Sequence, residues 1–272
     1  MGTVSFLDLE KERRRKDLAA ALGRIGKKFL VMSGKGGVGK TTLAVNLAAA
    51  LAARGRRTGL LDIDLHGPSV AGALGLACPL AAGADGKLVP AESGPGLKVV
   101  TIQGLLPNHD EAVIWRGPKK IAAIRRFLSE AAWEDLDFLI IDAPPGTGDE
   151  PMAVLEAIDD LRPLMVTSGH KLAINDAAKA FNFLKAMRRR PVGLIDNQSY
   201  FVCPRCGGGV DIYNREAARE LAGRVGAPLL ASLPLDLEAA RAAEEGRPLV
   251  WRRPDHPFSL LIAELAEKLE QL

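Results

Sequence analysis

Of 272 residues only three are cysteine and four histidine, and Lys plus Arg exceed Asp plus Glu by a net charge of just +3. With Cys78 far from Cys203 and Cys206, a disulfide framework of the secreted kind is excluded and a reducing compartment is expected. So small a positive excess provides no electrostatic footprint for nucleic acid. No apolar run reaches the length of a membrane span. The stretch from Asp8 to Lys16 is charged where a signal peptide needs an apolar core, so the expected location is the cytoplasm. Internal repeats and low-complexity tracts are also missing.

What remains is an ordinary globular composition, 47% hydrophobic and 25% charged, at a length that suits one large α/β domain. From Lys28 onward short apolar runs alternate with longer amphipathic stretches. The runs Phe29 to Met32, Thr58 to Ile63, Leu97 to Ile102, Phe138 to Ile141, Leu164 to Thr167, Val192 to Ile195 and Leu229 to Leu233 are strand candidates, several of them apolar throughout, as strands covered on both faces are. Helical spacing marks Thr41 to Ala53, Lys119 to Ala131, Ile174 to Arg189, Arg215 to Arg224 and Leu237 to Glu245. The expected fold is α/β: a doubly wound, mostly parallel sheet flanked by helices, in a single domain over 28–272. A charged helical extension is expected over 1–27, where Arg13, Arg14, Arg15 and Lys16 form a solvated face. Pro79 to Gly96 reads as a loop or small hairpin, and 198–212 as an insertion between a strand and a helix.

Gly34-Lys35-Gly36-Gly37-Val38-Gly39-Lys40-Thr41, followed by Thr42, fits the phosphate-binding loop. Its glycines let backbone N–H groups curl around phosphates while the next helix points its positive end at them. In that pattern Lys40 contacts the β- and γ-phosphates of ATP and the Thr41 hydroxyl binds Mg²⁺. Asp62 and Asp64 close one apolar strand and Asp142 another, at the sheet edge where open α/β folds bind ligands. Asp142 is placed to hold Mg²⁺ through water, Asp62 in the outer shell of the metal, and Asp64 to orient the attacking water. Lys35, early in the loop, reaches the chain's own phosphates or those of a facing subunit. The catalytic set is thus Lys35, Lys40 and Asp64, and the glycines of Ala143 to Asp149 suit a loop that moves with the γ-phosphate.

Cys203-Pro204-Arg205-Cys206 is a knuckle in which two thiolates converge. Two ligands are too few for a tetrahedral site. Two copies about a two-fold axis supply four, enough for one [4Fe–4S] cluster or one Zn²⁺. A structural zinc knuckle and a redox pair are the other readings, and Cys78 is expected to be unligated.

Taken together, Lys35 to Thr42, Asp62 to Ser69, Val113 to Pro118, Ile141 to Asp149 and Asp196 to Gly207 resemble the Mrp/ApbC family of iron–sulfur cluster carrier ATPases, within the MinD- and ParA-like class of deviant Walker A loops. The resemblance covers nearly everything from Lys28 onward. It implies a homodimer with Lys35 reaching across the nucleotide interface and a [4Fe–4S] cluster bridged by Cys203 and Cys206. ATP use would accompany loading or transfer to iron–sulfur apo-proteins and assembly factors, with neither nucleic acid nor membrane as partner. It also implies that Asn197 contacts adenine and that the Pro234 segment flanks the base. Departures are Asp196-Asn197-Gln198-Ser199, where the family commonly has Glu-Asn-Met-Ser, and Thr167-Ser168-Gly169-His170 in place of a Thr-Thr-Pro-Gln type segment. Two other functions compete: a positioning ATPase of the ParA/MinD type, and a regulatory ATPase whose dimer is stapled by structural zinc.

Overall fold

The run Phe29-Leu30-Val31-Met32 is fully shielded from solvent, and its side chains divide by alternation. Leu30 and Met32 enter one hydrophobic cluster and Phe29 and Val31 another. Successive strand side chains point to opposite faces, so an unbroken apolar run records helices on both sides. In the computed structural model, which describes residues 6–76, 83, 87–102 and 117–272, this run is the middle of β1 (Ile25–Ser33). The other strands are β2 (Thr58–Asp62), β3 (Ala91–Ser93), β4 (Leu97–Thr101), β5 (Leu136–Asp142), β6 (Arg162–Thr167), β7 (Gly193–Asp196), β8 (Tyr200–Val202), β9 (Gly209–Asp211) and β10 (Leu229–Ser232).

Eight of these form one sheet in the order β10-β7-β6-β1-β5-β2-β4-β3. All neighbours are parallel except β3, which runs against β4. One face is covered by α1 (Phe6–Gly23), α4 (Gly117–Glu130), α5 (Asp149–Ala157), α6 (Lys171–Ala186) and α7 (Glu216–Val225). The other carries α2 (Lys40–Ala53), α3 (Val70–Ala73), α8 (Leu237–Glu244), α9 (Leu249–Arg252) and α10 (Pro257–Gln271). β8 and β9 pair antiparallel as a separate hairpin, Tyr200 opposite Asp211 and Val202 opposite Gly209, inside the segment expected to be an insertion.

All seven expected strand runs are strands, and the expected α/β class holds. Differences lie where charge or glycine masks the pattern. β1 opens at Ile25, inside the segment assigned to the extension. Lys28 hides this start: it is buried, and its Nζ donates to the Ile25 carbonyl at 2.7 Å and to Asp160 Oδ2 at 2.8 Å. α1 is also less an appendage than expected, since Leu22 is buried and Leu18 packs beside it in the core. Its basic run is exposed, with Arg13, Arg14 and Lys16 paired to acids one turn away. α5 has no counterpart among the expected helices because it starts at the end of a glycine-rich loop and carries Pro151 in its first turn, a position that tolerates proline.

α2 is buried around nearly its whole circumference, which its many alanines permit by letting β5, α9 and α10 approach closely. Buried Asn46 stays satisfied, donating to the Thr42 carbonyl and accepting from the Val250 N–H. α10 closes this layer with Phe258, Ile262, Leu265 and Leu269, and its end is tied down by Arg54 and Arg56, both on the Glu270 carboxylate at 3.0–3.1 Å. At the β10 edge Lys268 Nζ donates to the Leu230 carbonyl at 2.7 Å.

Hydrogen bonds from Arg54 and then Arg56 hold the Glu270 carboxyl down at about 2, against an ordinary 4.5. A depressed folded-state value stabilises fully above pH 4.5 and is lost as pH falls toward 2. Glu270→Gln is expected to lower Tm at pH 7 by about 2–4 °C, the shift that about 1 kcal/mol produces in a domain of this size. Thermal melts from pH 7 to pH 3 should show the gap to wild type narrowing only below pH 4.5.

Candidate functional site

The phosphate loop leaves β1 and enters α2, at the C-terminal edge of the sheet where the strand order reverses. Three of its glycines are required by the backbone. Gly37 and Gly39 have φ of 82° and 76°, a region that side chains disfavour. Gly34 faces the backbone of α6, where a Cβ would meet the Asp176 carbonyl carbon at 2.1 Å. Gly36 and Gly37 are exposed, as is Lys35, whereas Val38 and Lys40 are buried. The loop is braced by Ser33, whose Oγ donates to the Lys35 carbonyl at 3.0 Å and whose carbonyl accepts from Gly146 N–H at 2.8 Å.

Asp62 and Asp142 are direct partners in the register of β2 and β5, so the two carboxylates end adjacent strands at one level. Both are buried. Lys40 Nζ donates to Asp142 Oδ1 and Thr41 Oγ1 to Asp142 Oδ2, each at 2.7 Å. Asp62 accepts from the Asp64 N–H at 3.0 Å and from the Thr101 hydroxyl at 3.3 Å. Asp64 Oδ1 in turn accepts from the Gly67 and His66 N–H groups at 3.1 and 3.3 Å. A single ammonium therefore serves two buried carboxylates. Burial, and then the Asp142 charge, push Asp62 up to about 7. Burial raises Asp142 as well, against the pull of Lys40. This donor set fits Mg²⁺: hard oxygen ligands, excess negative charge, and a lysine that phosphate oxygens can draw away.

A second polar junction joins residues that the sequence reading did not connect. Lys120 on α4 contacts Glu150 Oε1 on α5 at 2.7 Å and His66 Nε2 at 2.6 Å, with Glu150 itself buried. It links the loop after β2 to the start of α5, the two segments that bracket the carboxylates. Gly117, at the start of α4, lies over Asp149, whose Oδ2 is 3.0 Å from where a Cβ would stand. Local spacing carries no signal for this junction, because its members come from three separate elements. Trp115, Arg116 and Cys78 lie outside the described residues.

On the far side of the loop, buried Asn197 donates from Nδ2 to the Val38 carbonyl at 2.8 Å. Pro234 is buried one residue beyond Leu233, whose N–H is bonded to the Asp196 carbonyl. Asn197 and the Pro234 segment are therefore neighbours beside the phosphate loop. The departure at His170 has a structural use: its Nδ1 accepts from Leu172 N–H as the cap of α6, and its ring stands edge-on to Tyr213 at 5.4 Å.

Cys203 and Cys206 are free cysteines at the tip of the β8–β9 hairpin, Cys206 exposed and Cys203 half-buried. The knuckle closes through Gly207 N–H to the Cys203 carbonyl at 2.8 Å and Cys203 N–H to the Gly208 carbonyl at 2.9 Å. Gly207 takes the positive φ of 70° that the turn requires. Backbone N–H groups of Arg205 and Cys206, with the Cys206 side chain, hold the Cys203 thiol below its ordinary value, which favours the thiolate that ligates metal. Among the described residues no further His, Cys, Asp or Glu completes a set of three. Val202, Val210, Leu235 and Leu237 are exposed apolar side chains on and near this hairpin.

A family model described as ParA, NUBPL iron-transfer P-loop NTPase, matches residues 24–270. The chain belongs to this family. Among its relatives, the iron-sulfur cluster carrier protein of Methanocaldococcus jannaschii is 38% identical over 92% of this chain and 87% of its own length. The cytosolic Fe-S cluster assembly factor NUBP2 of Bos taurus is 39% identical over 88% of this chain and 90% of its own. Among solved structures, a nucleotide-binding protein from Archaeoglobus fulgidus in complex with ADP is similar at 31% identity and a TM-score of 0.77, covering 90% of this chain and 95% of its own. The cell division ATPase MinD of Pyrococcus furiosus follows at 26% and 0.69, over 90% and 99%. As a member of this P-loop NTPase family the chain is an ATPase with the doubly wound fold described above. No helix among the described residues is long and apolar enough to cross a membrane.

The raised value at Asp62 has a thermodynamic consequence. A carboxyl held at about 7, against an ordinary 3.8, makes the folded chain progressively less stable as pH rises from 4 to 7. Asp62→Asn is therefore expected to melt above wild type at pH 8, by about 2–4 °C for each kcal/mol of burial cost relieved. The two curves should converge at pH 4, and a variant less stable than wild type at pH 8 would contradict the assignment.

Proposed function

We propose that this ATPase carries a [4Fe–4S] cluster, held between the Cys203 and Cys206 thiolates of two copies of the chain, and delivers it to iron–sulfur apo-proteins in the cytoplasm. The observation that carries the reading is the presence in one fold of a phosphate loop with paired buried carboxylates and an exposed knuckle whose N–H groups point at a thiolate sulfur. The names of the M. jannaschii and B. taurus relatives support the cargo. An exposed two-thiolate knuckle supports a shared site, because four sulfurs are needed and one chain supplies two.

In this reading Gly34, Gly36, Gly37, Val38, Gly39 and Thr42 offer backbone N–H groups to the phosphates of ATP. Lys40 leaves Asp142 for the β- and γ-phosphates, freeing Asp142 Oδ1, while Oδ2 is the oxygen that accepts from the Thr41 hydroxyl. Thr41, Asp142 and, in the outer shell, Asp62 hold Mg²⁺, which supplies charge neutralisation to the phosphates when bound. Asp64, whose Oδ1 is already fixed by two N–H groups, orients the attacking water with its other oxygen. Exposed Lys35 is free to reach phosphates across the dimer. Asn197 and Pro234 flank the base, Asn197 by its amide oxygen while Nδ2 keeps the loop. A positioning ATPase of the ParA/MinD type fits less well, because α10 turns Phe258, Ile262, Leu265 and Leu269 to the core and its exposed side carries Glu264, Glu267 and Gln271 beside Leu260 and Lys268, not the basic face that an anionic membrane attracts.

Anaerobic reconstitution with iron and sulfide tests the proposal. The wild-type chain is expected to gain a broad visible charge-transfer band and about four irons per dimer, both lost in Cys203→Ser with Cys206→Ser. Stoichiometric zinc without that band would replace the carrier by an ATPase stapled by a structural metal.

A further inference from the structure

The segment between Asp196 and Ser199 touches the phosphate loop with one end and begins the cysteine hairpin with the other. Asn197 Nδ2 donates to the Val38 carbonyl at 2.8 Å, and the next side chain, Gln198, donates from Nε2 to the Gly37 carbonyl at 3.4 Å. A trans peptide is planar, with its C=O and N–H pointing in opposite directions. The peptide units gripped here are those whose other ends are the N–H groups of Gly39 and Val38, in the stretch of loop that curls around phosphates. Asn197 and Gln198 therefore hold the back of two peptide units whose fronts meet the nucleotide. A phosphate on the front polarises the carbonyl on the back and strengthens its hydrogen bond.

Room for this grip is made by Gly39, where a Cβ would stand 2.3 Å from Asn197 Nδ2 and 3.5 Å from Gln198 Nε2. Gln198 pays for its place with a φ of 56°, a backbone region in which glycine would be more comfortable. The side chain is thus what this position gains over glycine. Beyond it the chain has little slack. Ser199 N–H is bonded to the Leu233 carbonyl at 2.9 Å and the Tyr200 carbonyl to Leu235 N–H at 2.7 Å. β8 then runs straight to Cys203. Gln198 thus joins the Gly37 peptide unit to the base of the hairpin whose tip carries Cys203 and Cys206.

We propose that Gln198 is a positioning residue through which nucleotide in the phosphate loop sets the geometry of the Cys203–Cys206 knuckle. The inference deepens the carrier reading, on which it rests for the meaning of the knuckle but not for its test. Gln198→Gly keeps the positive φ and removes the amide, whereas Gln198→Glu keeps the length and backbone strain but removes the donor.

The measurement is the rate of iodoacetamide alkylation at Cys203 and Cys206, followed by mass spectrometry on the metal-free full chain, with and without saturating Mg-ADP or a non-hydrolysable Mg-ATP analogue. Nucleotide affinity is measured alongside. In wild type the rate should change by about fivefold on nucleotide binding, the low end of measured site-to-site coupling. In both variants that change should fall below about twofold while affinity stays within about threefold, because the phosphates are held by groups other than Gln198. The inference is overturned if wild-type cysteines do not respond to nucleotide, if either variant keeps the full response, or if the variants simply lose nucleotide binding. A failed cluster reconstitution would remove the carrier reading and leave this alkylation result to be judged separately.

Discussion

Two carboxylates, Asp62 and Asp142, finish adjacent strands at the same level inside the protein, and one ammonium, that of Lys40, is bonded to Asp142. Charge of this kind survives burial only when paired, and here the pairing is incomplete by one proton or one cation. Asp62 responds by holding its proton up to about 7. The phosphate loop, the β2 and β5 ends and the start of α2 all converge on this imbalance. It stores a preference for a divalent cation that the rest of the fold keeps in place. The alanine-rich α2 cannot retreat from it, because that helix is packed against β5, α9 and α10.

The loop, its two carboxylate-bearing strand ends and the cysteine knuckle were legible in the sequence because each is a contiguous motif whose residue types are dictated by local chemistry. The strand runs were legible for a related reason: burial on both faces writes itself as an unbroken apolar word. What could not be read were arrangements created only by folding. Lys120, Glu150 and His66 meet from α4, α5 and the loop after β2, and no spacing announces it. β1 begins among lysines because Lys28 is satisfied by carbonyls and by Asp160. The three-residue strands β8 and β9 are too short and too mixed in polarity to show alternation. Asn197 was expected beside the base from resemblance alone; its bond to the loop backbone came only from the structure.

The two chemistries of the molecule differ in rigidity. The carboxylate site is built on central strands and a buried helix. The thiolate site stands on a two-stranded hairpin with exposed valines on its surface, and a hairpin of this size needs further contacts to be stable. Those contacts come from the 233–235 segment and, in the carrier reading, from a second copy. In that same reading, a stiff site that consumes a nucleotide is joined to a compliant one that accepts and releases a bulky inorganic cargo.

Every open sheet has a margin where backbone groups look for partners, and such margins invite unwanted stacking of one molecule on another. At β10 the ammonium of Lys268 already occupies the Leu230 carbonyl, so an incoming strand would have to displace a charge before making its first bond. Among the described residues no strand pairs with this edge of β10, and the charge discourages lateral growth of the sheet there. In the carrier reading proposed above, self-association takes the opposite geometry, rim to rim across the C-terminal strand ends, where a two-fold pair closes on itself instead of extending.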